Sequence, residues 1–330
     1  MSIIAFSDAD KIADDFLSLL HKHAISPPES TKIEDELLSV TRLLDVWKEP
    51  TLRTGIDQSQ VLRAASGVVD LAAKVLACEP LADFIEFIPH LRLIAETKIR
   101  TASIGQNQKG EFGDDTGRKM AELYIACLAV HCGSSIKLDH PVNSKGDNPD
   151  LILTVDEAGR NSEKWAFAIK TVSSTRGQTI FERIEEGAKQ INSPRCSADH
   201  GVVIINAKDA LDHEKLWHPV TPFNSEGDAM NALKSQLASL AENANENRPQ
   251  EDWDAIFTRR VVRPVLFMGQ TIVSLPIQSG GRVATPLRML FMYGANGSVD
   301  QRAHALAYSM NHYMQTIMDG VPSDGGSSPH

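Results

Sequence analysis

The sequence predicts an α/β fold behind an all-helical N-terminal domain, and three observations predict it. Residues 1–100 read as helices only. From residue 118 to 207 the pattern becomes helix, strand, strand, strand, helix, strand. Within that run, "KWAFAIKT" (164–171) alternates Trp165, Phe167 and Ile169 with smaller or charged residues, the period of a strand with one buried face.

The elements follow in order. Ile12, Phe16, Leu19 and Leu20 form one apolar stripe, and Leu37, Leu38, Leu43 and Leu44 lie in a second helix. "QSQVLRAASGVVDLAAKVLA" and "LADFIEFIPHLRLIAET" continue the helical part, with Pro89 expected to kink or end a helix. "SIGQNQKGEFGDDTG" (103–117) is polar and Gly-rich, the composition of a linker or loop. It is no P-loop, because GK[ST] is missing. "RKMAELYIACLAVHC" reads as a helix, and 134–142, 149–155 and 164–172 as three strands in a meander. "TIFERIEEGAKQI" carries Ile180, Phe181, Ile184, Ala188 and Ile191 on one helical side, and "GVVIINA" reads as a buried strand. Downstream come the helix "EGDAMNALKSQLASLAENA", a strand or hairpin in "RPVLFMGQTIVSL", a strand in "PLRMLFMYG", and a last helix in "SVDQRAHALAYSMNHYMQTIM".

The expected domains are therefore a helical domain at 1–102, a linker or loop at 103–117, an α/β core at 118–210, a helix and strand extension at 211–320 and a disordered tail at 321–330.

Composition bounds the function. The 330 residues are 42% hydrophobic and 23% charged, an ordinary globular balance. No apolar run approaches the ~20 residues of a membrane span. The early acids of "MSIIAFSDADKIADDF" lack the basic start of a secretory signal. Cys78, Cys127, Cys132 and Cys196 show neither a CxxC pair nor metal-ligand spacing, so reduced thiols in a cytoplasm are expected. The net charge of −10 argues against loose coating of nucleic acid. Residues 109–210 carry 13 Lys and Arg against 15 Asp and Glu, which leaves room for a local basic groove.

Lys170 is the residue that needs explaining. It shares a strand face with Ala166 and Ala168, where lysine is poorly tolerated without a partner. Asp150 stands twenty residues earlier, after Pro149, at the head of the preceding strand. A hairpin between the strands brings Asp150 and Lys170 to the same sheet end. A carboxylate there suits a hard divalent cation, and an ammonium beside it suits a phosphodiester.

Pro149-Asp150 and Ala168-Ile169-Lys170, in this element order, resemble the PD-(D/E)XK nuclease superfamily, over about residues 112–208. The resemblance implies a restriction-endonuclease-like mixed sheet flanked by helices. It also implies a Mg²⁺-dependent (or Mn²⁺-dependent) nuclease acting on DNA or RNA, in restriction or phage defence. It assigns Asp150 as metal ligand, Lys170 as the water-orienting or charge-stabilising group, Glu122 as second ligand or base, and Gln190 as support.

Ala168 departs from the pattern, because the family carries an acid there. Either the acid has migrated, or the domain is a binding-only descendant, or the alanine has been introduced to silence a nuclease. In the last case Ala168→Glu is expected to restore cleavage. Glu163 lies roughly 17 Å from Ala168 along the strand and on the opposite face, and Asp156 roughly 20 Å from Asp150, so neither replaces the acid. Glu122 shares its helix face with Ile125, Ala126 and Ala129 and is the preferred replacement, with Glu186 in reserve. A carboxylate reaching the Asp150–Lys170 corner favours an enzyme; none within reach favours a non-catalytic module that binds nucleic acid or a protein partner. The helical domain is the expected surface for a homodimer or protein partner.

Structural readings stand beside these. Lys170 alone is a strand-end lysine snorkelling to water, Asp150 a turn residue, Glu122 an i, i+4 partner of Arg118, and Gln190 a solvated helix residue. His304, Tyr308 and His312 form a partly exposed packing stripe on the last helix, and His140 is a turn residue. Arg259, Arg260 and Arg263 make a small cluster for phosphates or a solvated edge.

Overall fold

A computed structural model describes residues 6–29, 31–54, 57–96, 102, 104, 116–142, 146–156, 162–217, 223–278 and 280–322. Most of the expected 103–117 loop and of the 321–330 tail lies outside them. Among the described residues the chain is mixed α/β, with a curled six-stranded mixed sheet and about ten helices. It divides into two compact units. The first comprises residues 1–103, 113–131 and 310–330, and the second 104–112 and 132–309.

The first unit holds α1 (Phe6–Lys22), α2 (Lys32–Lys48), α3 (Gln58–Cys78), α4 (Ile88–Ala95) and α5 (Thr116–Ala129). The α1 stripe of Ile12, Phe16, Leu19 and Leu20 is buried as its spacing predicts. In α2 Leu37 and Leu44 are buried together with Ile33, Val40 and Val46, while Leu38 is 46% exposed, so the leucine run does not by itself mark the buried stripe. Asp57 caps α3 by accepting the Gln60 N–H. Pro89 opens α4 rather than breaking a helix, the position where its missing N–H costs nothing. The α5 helix, expected in the core, packs on α3 and α4 and groups with this unit. Every residue from Met120 to Val130 is buried, so the helix is enclosed on all sides rather than one-sided, with Glu122 among the buried residues.

The second unit holds β1 (Ser135–Leu138), β2 (Leu151–Val155), β3 (Glu163–Thr171), α6 (Gly177–Ile191), β4 (His200–Asn206), α7 (His213–Leu216), α8 (Glu226–Asn245), α9 (Gln250–Ile256), β5 (Val265–Pro276) and β6 (Arg282–Tyr293). The last helix, α10 (Gln301–Thr316), carries residues of both units. Strand order in space equals order in the chain. β1–β2, β2–β3 and β5–β6 are antiparallel, whereas β3–β4 and β4–β5 are parallel. A parallel neighbour needs a crossover, and α6 supplies the one from β3 to β4.

The amphipathic face of α6 dictates its place. Ile180, Phe181, Ile184, Ala188 and Ile191 are all buried against Ala166, Ala168, Val203 and Ile205. Gly187 permits the close approach. A Cβ there would lie 2.9 Å from Val203 Cγ1 and 3.3 Å from the Ala168 Cβ. The first strand ends at Leu138, earlier than expected, just before His140-Pro141. "RPVLFMGQTIVSL" forms one long strand, and its partner β6 starts at Arg282, before the expected 286.

Candidate functional site

The site is built by the register of β1, β2 and β3. In β2–β3, Leu151 faces Phe167, so one step further sets Asp150 level with Ala168. There the ladder opens. The Asp150 N–H donates to the Phe167 carbonyl at 3.0 Å, and the Asp150 carboxylate takes the Ile169 N–H at 2.6 Å. A side chain has thus replaced the backbone as acceptor at the strand end. Lys170, two residues past Ala168 on the same face, brings its Nζ to 3.9 Å from Asp150 Oδ2. Asp150 is only 5% exposed, so the pair meets where solvent is largely excluded. The sequence-predicted Asp150 and Lys170 are therefore brought together, and the snorkelling reading of Lys170 alone does not describe it.

Ala168, treated as an empty acid position, is not an open slot. It is fully buried beneath α6 at Gly187. Gln190 lies on α6, where its Nε2 donates to the Gly146 carbonyl at 3.0 Å, in the segment leading to Asp150. Its Oε1 is buried without a hydrogen-bond partner. In the same segment Asp147 pairs with Arg195.

Glu122 sits on α5 in the helical unit, where it is 4% exposed. Lys119 Nζ lies 2.8 Å from Glu122 Oε2 and His90 Nε2 lies 3.3 Å from it. Lys119, at i−3, is the cation facing it, and both groups belong to that unit, so its carboxylate is accounted for as a buried ion pair. Glu186, the reserve candidate, pairs with Arg183 at 2.6 Å on the exposed side of α6. Two of the three clustered arginines are likewise engaged: Arg263 pairs with Asp254 at 2.8 Å, and Arg260 donates to the Ser193 carbonyl at 3.2 Å. His304, Tyr308 and His312 are exposed on α10.

One residue that sequence reasoning missed joins the row. In β1–β2, Leu138 faces Leu151, so the next step sets Asp139 opposite Asp150. The Asp139 N–H donates to the Asp150 carbonyl at 2.9 Å and holds that step. Residues directly opposite share a face, with Cβ atoms about 5 Å apart. The Asp139 Oδ2 atom is buried and has no hydrogen-bond partner. The signal was present in "SIKLDHP": Lys137 and Asp139 alternate with buried Ile136 and Leu138, which places the acid on the strand face opposite those two apolar residues.

Among the described residues no group of three His, Cys, Asp or Glu side chains is placed to hold a metal ion. Two carboxylates on neighbouring strands are nevertheless what Mg²⁺ takes from a protein when substrate phosphate and water complete its shell. A buried carboxylate oxygen with no partner is costly unless something else satisfies it. On that ground Asp139 and Asp150 fit such an ion. No family model, curated protein or solved structure matches the chain.

Proposed function

We propose that this chain is a Mg²⁺-dependent nuclease of the PD-(D/E)XK type acting on DNA, in which Asp139 on β1 takes the part of the acid missing at Ala168. The observation that carries the reading is the row at the sheet end: Asp139 level with Asp150, and Lys170 Nζ 3.9 Å from the Asp150 carboxylate. Asp139 and Asp150 would hold the ion. When bound, Mg²⁺ polarises the phosphate and lowers the pKa of a coordinated water. The protein's own groups do the rest. The Ile169 N–H fixes the Asp150 carboxylate. The Lys170 ammonium, on the same face, orients a water or meets the charge that develops on the phosphate. Gln190 positions the Gly146–Asp150 segment through its bond to the Gly146 carbonyl. The restriction-endonuclease-like fold belongs to this same reading, supported by the strand order and the α6 crossover.

The test is cleavage of plasmid, linear and single-stranded DNA with Mg²⁺ or Mn²⁺, beside calorimetric titration with Mn²⁺. Cutting is expected, and Asp150→Asn, Lys170→Ala and Asp139→Asn are each expected to abolish it while leaving the protein folded. The two aspartate variants should also lose Mn²⁺ binding. Loss of cleavage in folded Glu122→Gln would return the second-ligand role to Glu122.

A second reading has one observation in its favour, the burial of Ala168 under α6, which leaves the usual acid position filled. It takes the chain as a non-catalytic module that binds nucleic acid or a protein partner. DNA retardation without cleavage and without Mn²⁺ binding would select it.

A further inference from the structure

The turn after α6 gathers positive charge beside the segment that carries Asp150, and the proposed chemistry does not use it. Two contacts join the two pieces. Gln190 Nε2 donates to the Gly146 carbonyl at 3.0 Å, and the next residue, Asp147, pairs with Arg195. The turn itself is pinned. The Arg195 N–H donates to Ser193 Oγ at 3.3 Å, and the Cys196 N–H to the Ser193 carbonyl at 3.0 Å. The same carbonyl takes Arg260 Nη1 at 3.2 Å, and the Arg260 N–H donates to Asn192 Oδ1 at 3.3 Å. Two arginines far apart in the chain are therefore anchored on one turn. Arg259 is exposed beside Arg260.

We infer that Arg195 and Arg260 form a surface that binds the phosphate backbone of the DNA substrate beside the corner of Asp139, Asp150 and Lys170, with Asp147 holding Arg195 until a phosphate takes its place. The inference rests on the nuclease reading for its substrate. Charge carries it. Among the described residues no carboxylate pairs with Arg260, so its charge is met by the dipole of a carbonyl. A guanidinium presents several N–H donors in a fork that matches phosphate oxygens, and the side-chain contact occupies one of them. Arg195 has one carboxylate, and half of it is unused, because Asp147 Oδ1 has no hydrogen-bond partner. The contact is thus one-armed. Its side chains are 60% and 42% exposed, so it adds little to stability and opens readily. A phosphate offers the same guanidinium more oxygens and more charge. On α6 itself, by contrast, Arg183 pairs with Glu186 and Lys189 with Glu185, so each of those cations is matched.

Chain reach fixes where along the DNA the contact falls. Asp147 lies three residues before Asp150, and three residues span at most about 11 Å. One DNA strand advances about 3.4 Å per nucleotide. A phosphate on Arg195 is therefore within a few nucleotides of one at Asp150, and a single strand can touch both. The chain carries a net charge of −10, so a local basic surface is what it needs to hold a polyanion.

The experiment measures binding of a labelled DNA duplex to the full chain by fluorescence anisotropy across a salt series, with a chelator present so that no cleavage intervenes. Each phosphate contact contributes about 0.9 to the slope of log K against log salt. Arg195→Gln and Arg260→Gln should each flatten the slope by about that amount. Arg183→Gln removes one positive charge as well but should leave the slope unchanged. Asp147→Asn should tighten binding, and tighten it much less when Arg195→Gln is already present. Circular dichroism checks that each variant folds, and Arg195 is exposed, so its arm of the test stands without Arg260. No binding by the wild-type chain at any salt overturns the inference. So does a slope unaltered by Arg195→Gln, a slope flattened equally by Arg183→Gln, or equal tightening by Asp147→Asn in both backgrounds. Unaltered slopes beside intact Mg²⁺-dependent cleavage remove this surface and leave the nuclease reading standing. The expected slopes without any cleavage keep the surface and remove the nuclease reading.

Discussion

Ala168→Glu tests whether the position beside Asp150 can hold the acid that the resemblance expects. The methyl of Ala168 is fully buried, and Gly187 lies over it so closely that a Cβ on Gly187 would come to 3.3 Å. Val203 stands beside it on β4. A glutamate adds about four heavy atoms to that space, and overpacking of this kind costs about 1–3 kcal/mol. The carboxylate also leaves water beside the like charge of Asp150, with Lys170 the cation near both, at a cost of several kcal/mol, unless it stays protonated. A loss of at least about 3 kcal/mol follows, and at about 2–4 °C per kcal/mol for a unit of 150–250 residues the melting temperature falls by about 6–12 °C. Thermal unfolding followed by circular dichroism reads this directly. Ala168→Gln separates the two causes: if crowding dominates it loses as much as glutamate, and if charge dominates it loses much less. Repeating both melts with millimolar Mg²⁺ asks whether the new acid joins Asp139 and Asp150. An unchanged melting temperature together with a gain of DNA cleavage would refute the packing argument and restore the view of position 168 as an open acid site.

Two further predictions concern the helical unit. Lys74 is fully buried, 2.6 Å from Asp70, and donates to the Ile317 carbonyl, so Lys74→Met removes the cation facing a buried carboxylate, which keeps the Tyr124 hydroxyl at 2.7 Å, and should cost about 3–5 kcal/mol in chemical denaturation. Asp70→Leu added to Lys74→Met should recover much of that loss. In the reduced protein, the depressed Cys78 thiol contributes stability that is fully present above its unfolded value near 9 and disappears as pH falls through about 7. Cys78→Ser should therefore flatten the dependence of unfolding free energy on pH between 7 and 9, and an unaltered slope would contradict it.

Periodicity made the elements legible because burial acts locally on a face. The α6 stripe from Ile180 to Ile191 and the buried run of β4 are visible as residue patterns, and each is buried as expected. Register is a different kind of information. Asp150 and Lys170 were legible because a single hairpin joins their strands and both stand near its open end. The placement of Asp139 needed the β1–β2 pairing, and a slip of one residue would have turned its carboxylate to the other face. Acids on β2, β3 and the helices are placed by counting along one element, whereas Asp139 reaches Asp150 only across the sheet. The expected role of Glu122 rested on an inward-facing carboxylate needing a reason. Its reason in the structure is Lys119 one turn back and His90 of α4, and His90 lies 32 residues away in the chain, beyond the reach of any local pattern. The same holds for Cys78 and Cys127, 49 residues apart and without a spacing motif, where only the packing of α3 on α5 brings the Cys78 sulfur to the Cys127 carbonyl. Chemistry that depends on one element was readable, whereas chemistry that depends on which neighbour an element meets required the fold.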